Sequence, residues 1–298
     1  MSADPARPHR GTIFLEEATL IGQESWPDGQ YVMRLAAPRC AAHATPGSFV
    51  HVRCATDLPM RRPLSIQRVD REAGWVEILY KVLGTGLARL AAARPGDKLS
   101  CLGPIGRGFT VRAERPRRLL IGGGVGIPPM VFLAEELRDA PGARPVVMMG
   151  SEIPFPFRTR PSAVMLPGLP PAVIATMPLL DEWGIACRLA SQRGYAGCYE
   201  GFVTEMAAEW LATLGPAALA ETEIYACGPT PMLRAVAAVA ARFGVPAQVS
   251  LEEFMACAVG GCAGCVVRVE GPEGPAMKRV CVDGPVFEAR TVFPEAYA

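Results

Sequence analysis

Lysine, histidine and long apolar runs are scarce in this sequence. Lysine occurs only at Lys81, Lys98 and Lys278, so arginine carries nearly all of the positive charge. The 30 basic and 29 acidic residues leave a net charge of +1, which gives no electrostatic reason to expect nucleic acid or an anionic membrane as a partner. No apolar run approaches the ~20 residues of a membrane-spanning helix. We therefore expect neither a nucleic-acid partner nor a membrane.

The first residues and the histidines narrow the expectations further. The opening stretch, MSADPARPHRGTIF, lacks the apolar core of a secretory signal, and we expect a cytoplasmic protein. The only histidines are His9, His43 and His51, and we interpret each of them as a surface or barrel residue. The sequence therefore offers no convincing catalytic acid or base.

Cysteine is distributed unevenly along the chain. Six of the ten cysteines are scattered, and the other four, Cys257, Cys262, Cys265 and Cys281, crowd into the last 42 residues. In a reducing compartment, cysteines are free thiols, metal ligands or redox groups rather than structural disulfides. The asymmetry indicates a functional cluster near the end of the sequence.

The spacing of these four cysteines is typical of a 2Fe-2S cluster. It reads Cys257-x4-Cys262-x2-Cys265-x15-Cys281, with three thiols on a tight loop and a distant fourth, as in plant-type clusters. The intervening glycines and alanines allow the loop to bend around a cluster and to aim its N–H groups at the sulfurs. Two alternatives remain. A structural zinc site also uses four cysteines, although usually on two short knuckles, and unliganded thiols would leave the glycines unexplained.

The strand and helix patterns divide the chain into three regions. Short strands separated by turns, from residue 11 to about 112, predict a small antiparallel barrel. Alternating strands, turns and helices follow and predict a parallel α/β sheet, and a glycine- and cysteine-rich tail comes last. We predict a multi-domain protein with an antiparallel β-barrel domain over 1–113, an α/β parallel-sheet domain over 114–250 and a small C-terminal cluster domain over 251–298.

Two motifs in the barrel region suit a flavin nucleotide. In the segment RPLS, Arg62 suits planar phosphate recognition and Ser65 suits a contact with the flavin ring. The segment Gly84-Thr85-Gly86 precedes a helix predicted over 86–93, and helix N-termini bind anions. Taken alone, the first motif is weak, because a surface arginine before a proline turn explains it more simply, and the second is only suggestive.

Two turns in the α/β region suit a nicotinamide nucleotide. The segment 122–126 reads GGGVG, follows a strand and opens a helix predicted from about Pro128 to Asp139. It is not a full G-x-G-x-x-G motif, because Ile127 takes the place of the last glycine. The turn Cys227-Gly228-Pro229 follows a second parallel strand, where ligands of open α/β sheets bind. A tight turn without a ligand is the alternative for both, with an inert buried thiol in the second.

The order of these motifs resembles one superfamily. The segments RPLS, GTG, GGGVGIPP and YACGPTPML, in this order, resemble the ferredoxin–NADP reductase superfamily. The tail, SLEEFMACAVGGCAGCVV followed by RVCVDGPVF, is similar to the electron-transfer subunits of two-subunit, NAD-dependent dihydroorotate dehydrogenases. This resemblance covers about residues 11–290. It implies FAD in the barrel domain, NAD as a substrate of the α/β domain, a 2Fe-2S cluster in the tail, and a heterotetramer with an FMN-containing catalytic subunit of pyrimidine synthesis.

The resemblance also assigns roles to matching positions. The implied cluster ligands are the four cysteines already identified from their spacing. The residues with implied FAD contacts are Arg62, Pro63, Leu64, Ser65, Tyr80, Lys81, Val82, Gly84, Thr85 and Gly86. The residues that would face the nicotinamide nucleotide are Gly123, Gly124, Gly126, Cys227, Gly228 and Pro229. The alternative is a subunit of a related NAD(P)H–ferredoxin or sulfur-reducing oxidoreductase. In the ferredoxin-linked relatives we expect aspartate at the first cluster position, so the cysteine at position 257 argues against the ferredoxin-linked type.

Overall fold

The computed structural model describes residues 12–298; residues 1–11, which include His9, lie outside the described residues. The first part of the described chain is a closed antiparallel barrel with the strand order β1-β2-β5-β4-β3-β6. The predicted barrel is therefore confirmed. Its strands are β1 (Phe14–Trp26), β2 (Gln30–Ala36), β3 (Phe49–Val52), β4 (Arg62–Asp70), β5 (Trp75–Lys81) and β6 (Lys98–Ile105), with helices α1 (Pro38–His43) and α2 (Gly84–Ala91) between them.

The alternation of side-chain direction along β3 and β4 decides which side chains point into the barrel and which point out of it. Val50 and Val52 of β3 are fully buried in the barrel core. Because neighbouring residues of a strand point to opposite faces, Phe49 and His51 face outward. Phe49 pairs with Ser65 in β4, and His51 pairs with Pro63. The outer face of this strand pair thus carries two residues of the predicted flavin motif.

The second part is a six-stranded sheet with the order β11-β8-β7-β12-β13-β16, in which β16 spans Val286–Glu288. Five of its strands are parallel and β16 is antiparallel to β13, so the predicted parallel α/β sheet is confirmed. The strands of this region are β7 (Arg117–Gly123), β8 (Arg144–Gly150), β9 (Arg160–Pro161), β10 (Ala175–Thr176), β11 (Ala186–Ala190), β12 (Thr222–Cys227) and β13 (Ala247–Ser250). The helices are α3 (Ile127–Arg138), α4 (Pro178–Glu182), α5 (Val203–Ala212), α6 (Pro216–Ala220) and α7 (Thr230–Phe243).

The winding of this sheet reverses between β7 and β12. From β7 the chain moves to β8 and β11 on one side, and it then crosses to β12 and β13 on the other side. In open α/β sheets, ligands bind in the crevice at the carboxyl ends of the strands where the strand order reverses. Both predicted nicotinamide turns follow these two strands, so the topology places them at one crevice.

Helix α3 joins the sheet to the barrel. Phe132 on this helix is fully buried in the barrel core cluster. Arg68 of β4 donates to Glu135 of the same helix, from Nε to Oε2 at 3.2 Å and from Nη2 to Oε1 at 2.6 Å. A bidentate pair of this kind fixes orientation as well as distance. The middle and carboxyl half of α3, which follows the glycine turn, are therefore held against the barrel.

The tail contributes to two parts of the molecule. It comprises the hairpin β14 (Val266–Gly271) and β15 (Gly274–Arg279), α8 (Val280–Asp283), β16 (Val286–Glu288) and α9 (Ala289–Val292). Because β16 is a strand of the α/β sheet, the tail packs on the second region. The domain limits 1–113, 114–250 and 251–298 stay predictions. None of the helices in the described part of the chain has the length and apolar character needed to cross a membrane.

Candidate functional site: a cysteine cluster beside two nucleotide cradles

A two-stranded hairpin brings the fourth cysteine to the other three. Val266 pairs with Arg279 at the open end of the β14–β15 hairpin. Cys265 immediately precedes the first strand, and Cys281 lies just beyond the second. The Val280 N–H donates to the carbonyl of Cys265 at 2.9 Å. The fifteen-residue gap in the spacing is therefore a hairpin whose ends meet.

The four thiols form two contacting pairs. Cys257 contacts Cys262, and Cys281 contacts Cys265. Burial raises the pKa of the Cys281 thiol to about 12, with Cys265 as the next cause. At Cys257 burial also acts to raise the pKa, but hydrogen bonds from nearby N–H groups outweigh it and lower the pKa to about 7. Among the described residues, no three His, Cys, Asp or Glu side chains lie close enough together to hold a single metal ion.

Two thiolate pairs are what a 2Fe-2S cluster needs, because each of its two irons takes two protein ligands. A structural zinc ion instead gathers all four thiolates around one centre. The N–H of Cys262 lies 3.4 Å from the sulfur of Cys257, and the N–H of Gly264 lies 3.4 Å from the sulfur of Cys262. These N–H groups can stabilise sulfur charge. The donor set therefore fits the predicted cluster.

The backbone of the cluster loop is strained in the way that a wrapped loop requires. Ala258 and Ala263 have φ angles of 57° and 54°, and Gly260 has a φ of 82°. Left-handed backbone costs about 1–2 kcal/mol for a residue with a Cβ. Arg279 braces the loop, since its Nη1 donates to the Gly260 carbonyl at 3.2 Å and its N–H donates to Asp283 at 2.8 Å. Hairpin and loop thus support each other.

The two predicted flavin motifs meet at the amino end of α2. A Cβ on Gly86 would lie 3.0 Å from Nη2 and 3.1 Å from Nε of Arg62, so a larger residue there would push the guanidinium away from the first turn of this helix. Nη1 of Arg62 donates to the carbonyls of Met60 and Arg61. A fixed guanidinium and a helix N-terminus together form an anion cradle, which fits a pyrophosphate.

The other predicted flavin contacts fall into two sets. Tyr80 is 1% exposed, and its ring stacks on Tyr31 with centroids 5.4 Å apart. Its hydroxyl donates to Gln23 at 2.7 Å, so the Tyr80 side chain belongs to the barrel interior and only its backbone can reach a cofactor. The remaining residues lie on the outer face of β4 or run from the last residue of β5 to the first turn of α2; they are Pro63, Ser65, Lys81, Val82, Gly84 and Thr85, while the Leu64 side chain lies in the barrel core.

The predicted nicotinamide turns pack directly on one another. Gly122 of β7 pairs with Cys227 of β12. A Cβ on Gly126 would overlap the carbonyl of Cys227 and lie 2.5 Å from the Gly228 nitrogen. Met232 covers Gly123 and Gly228 from the side. The structure thus brings both turns together at the predicted crevice, and Gly124, with a φ of 55° and open space around it, lies in the same turn.

The crevice also contains a carboxyl group that sequence reasoning missed. Burial, with Glu252 as the next cause, raises the pKa of the Cys227 thiol, and a hydrogen bond with Ser250 acts in the opposite direction. Although Glu252 is an exposed residue, the protein around its carboxyl group raises the carboxyl pKa. A protonated thiol and a carboxyl group therefore adjoin the crevice. The sequence signal that could have identified it is the pair of glutamates, Glu252 and Glu253, just after β13.

A separate cavity lies away from these residues. It has a volume of about 680 Å³ and is lined by residues such as Arg117, Arg144, Trp183 and Met165. These residues belong to the starts of β7 and β8 and to nearby loops, at the edge of the sheet opposite the nucleotide crevice. None of the predicted site residues lines this cavity, so we place the redox chemistry at the crevice and the cradle.

Comparison with known proteins defines the class of this protein. The model of the iron-sulfur cluster binding domain of dihydroorotate dehydrogenase B matches residues 252–293. The structure of an NADH-dependent reduced ferredoxin-NADP oxidoreductase has a TM-score of 0.73 and 26% identity, covering 94% of this chain and 91% of that chain. Phthalate dioxygenase reductase, at 17% identity and a TM-score of 0.54 over 89% of this chain and 76% of that chain, shares the fold. The protein is a flavin- and iron–sulfur-dependent oxidoreductase of the ferredoxin-reductase type.

Curated relatives give the family. The dihydroorotate dehydrogenase B (NAD(+)) electron transfer subunit of Geobacillus thermodenitrificans is 36% identical over 285 residues, which cover 94% of this chain and 99% of that protein. The subunit of Desulforamulus reducens is 33% identical over 262 residues, covering 86% and 90%. The chain belongs to the family of dihydroorotate dehydrogenase B electron transfer subunits. The predictions of fold class and of FAD, 2Fe-2S and NAD as cofactors are confirmed, and the ferredoxin or sulfur-reductase alternative is not favoured.

Proposed function

We propose that this chain passes electrons between NAD and an FMN-containing dihydroorotate dehydrogenase subunit in pyrimidine synthesis. The observation that carries the proposal is the convergence of the cluster cysteines, the Arg62 cradle and the crevice between β7 and β12 within one chain that belongs to this family. The overall reaction converts dihydroorotate and NAD+ into orotate, NADH and a proton. We expect the two subunits to form a heterotetramer in the cytoplasm.

The residues of this chain bind and orient rather than catalyse proton transfer. Arg62 and the amino end of α2 would hold the FAD pyrophosphate, and Ser65 would face the ring. The paired turns at Gly126 and Cys227 would hold the nicotinamide nucleotide, and the four cysteines would hold the cluster. When bound, FAD exchanges two electrons with NAD and single electrons with the cluster, which is why the family combines these groups.

The partner would dock where the cluster loop reaches the surface. Phe254 is 94% exposed, and Met277 and Val259 are 65% and 49% exposed. Cys262 in the same loop is exposed as well. Exposed large apolar residues beside a redox centre favour an interface that excludes water around the path of the electron. We therefore assign this surface to the catalytic subunit.

Phe254→Ser should weaken the complex with the catalytic subunit by about tenfold or more, because a buried aromatic anchor contributes about 2 kcal/mol or more at a typical interface. Binding can be measured by calorimetry with both holoproteins. Met165→Ser is the matched control, since Met165 is 82% exposed but borders the distant cavity. Equal affinities for the two variants would place the interface elsewhere.

Co-expression with the FMN-containing subunit should give a stable complex that reduces NAD+ when dihydroorotate is added. The measurement is absorbance of NADH together with the iron and flavin content of the complex. A preparation that contains FAD and the cluster but neither binds that subunit nor shows the activity would contradict the pyrimidine assignment and reopen the ferredoxin-linked alternative.

A further inference from the structure

His51 has an environment that packing alone does not explain. It is 0% exposed, and neither ring nitrogen has a hydrogen-bond partner among residues 12–298. Burial, followed by the charge of Arg61, lowers the pKa of His51 to about 4. The imidazole is therefore neutral near pH 7, with one N–H donor and one acceptor. A buried polar group without partners is unusual in a native protein and calls for an explanation.

His51 lies between the predicted cluster site and the predicted flavin site. Its strand partner in β4 is Pro63, in the RPLS segment, and its partner in β6 is Leu102. Backbone groups of Met255 and Arg61 lie beside the ring without reaching hydrogen-bond geometry. Met255 is two residues before the first cluster cysteine, and Arg61 directly precedes Arg62 of the flavin cradle. The ring thus lies between the cluster loop and the flavin-binding strand.

One of these two neighbours is the better acceptor. Arg61 is already fixed to the barrel, because its guanidinium donates to the carbonyls of His51 and Ser100 and to the Ser100 hydroxyl. Arg61 therefore has a set position, and the His51 ring still does not bond to it. Met255 belongs to the loop that has to gather four thiolates around a cluster, so it is the neighbour whose position depends on the cluster.

We propose that His51 is a positioning residue for electron transfer: in the loaded protein its ring N–H donates to the backbone carbonyl of Met255 and ties the cluster loop to the flavin-binding strand. This bond holds the loop, and with it Cys257, at a set distance from the strand that carries Ser65. The inference rests on the proposed function only in that the cluster and FAD are both bound to this chain.

Two variants of matched length separate hydrogen bonding from packing. His51→Gln keeps an N–H donor, whereas His51→Met fills similar space without one. In the holoprotein, His51→Met should release iron to a chelator roughly tenfold faster than the wild type, since loss of one net hydrogen bond changes a local opening equilibrium by up to about this factor. His51→Gln should stay within about twofold. The exposed His43, replaced in the same two ways, serves as the control.

A second readout concerns the cluster itself. The midpoint potential of the cluster, followed by EPR, should differ from that of the wild type in His51→Met and return toward it in His51→Gln, because the loop N–H groups that face the sulfurs move with the loop. Equal release rates and equal potentials in wild type and His51→Met would overturn the proposal. A release rate that rises equally in both variants would assign His51 to packing alone.

The unmodified protein gives an independent test that needs no variant. In protein labelled with ¹⁵N-histidine, a slowly exchanging ring N–H of His51 should be present in the oxidised holoprotein and absent after removal of the cluster. Its absence in both states would overturn the proposal. None of these measurements uses dihydroorotate or the partner, so failure of the pyrimidine assignment and failure of the His51 inference remain distinguishable.

Discussion

Cys281→Ser should remove or strongly perturb the 2Fe-2S cluster while FAD stays bound. Cys281 contacts Cys265 at the open end of the β14–β15 hairpin, so its loss would take away one of the four thiolates that would hold the cluster. The Arg62 cradle lies on the barrel and does not involve this residue. We expect iron content and the EPR signal to fall, and dihydroorotate-dependent NAD+ reduction by the complex to fall more than about 100-fold, beyond the range for residues that only support a ligand.

A second activity separates the cluster from the flavin in this variant. Reduction of ferricyanide by NADH needs only the nucleotide crevice and FAD, so Cys281→Ser should retain it. Cys198→Ser is the matched control, because Cys198 is a half-buried thiol outside the four ligands. An unchanged cluster signal in Cys281→Ser would show that the fourth ligand is misassigned.

Gly126→Ala should leave the cluster in place but strongly reduce both reactions with the nicotinamide nucleotide. The new methyl group would overlap the backbone carbonyl of Cys227 and approach the Gly228 nitrogen to 2.5 Å. Backbone on both sides cannot yield as a flexible side chain can, so we expect a cost of about 3 kcal/mol, at the upper end of overpacking. The two turns would separate, and NAD reduction and NADH–ferricyanide activity should fall together by more than about 100-fold.

The measurements for this variant are the two activities, the thermal midpoint and the cofactor content. FAD and iron should remain, since neither the barrel cradle nor the cluster loop includes Gly126. Gly215→Ala is the control: Gly215 has a φ of −73° and ψ of 166°, and a Cβ there meets nothing within 4 Å. NADH–ferricyanide activity at the wild-type level in Gly126→Ala would mean that the nucleotide binds away from this crevice.

Much of the site could be predicted from local patterns. Helix α2 spans Gly84–Ala91 against the predicted 86–93, and α3 spans Ile127–Arg138 against about Pro128 to Asp139. Both predictions depended on apolar spacing and on proline and glycine near the helix ends, which act within a few residues. The cysteine spacing was equally local, because three of the four ligands lie on one loop. A site whose residues are concentrated in a short segment can be predicted from the sequence.

Contacts between distant segments could not be predicted in this way. The sequence predicted His51 as a surface or barrel residue; it lies in barrel strand β3, and only the fold shows that it is fully buried between the flavin strand and the cluster loop. Glu252 was not singled out, because only the register of β12 and β13 brings it to Cys227. The tail was predicted as a small C-terminal cluster domain, and only the tertiary structure shows that its strand β16 pairs with β13 of the α/β sheet.

The sequence by itself therefore determined the kinds of chemistry: four thiolates at cluster spacing, an arginine and glycines for phosphate groups, and two turns for a nucleotide. The tertiary structure decided how they meet. Strand register set Cys265 beside Cys281, the close approach at Gly86 set Arg62 over a helix end, and the reversal of strand order set Gly126 against Cys227. The physical reason is that spacing along a chain fixes only short-range geometry, while these pairings depend on which strands become neighbours when the apolar faces of the barrel and the sheet are buried.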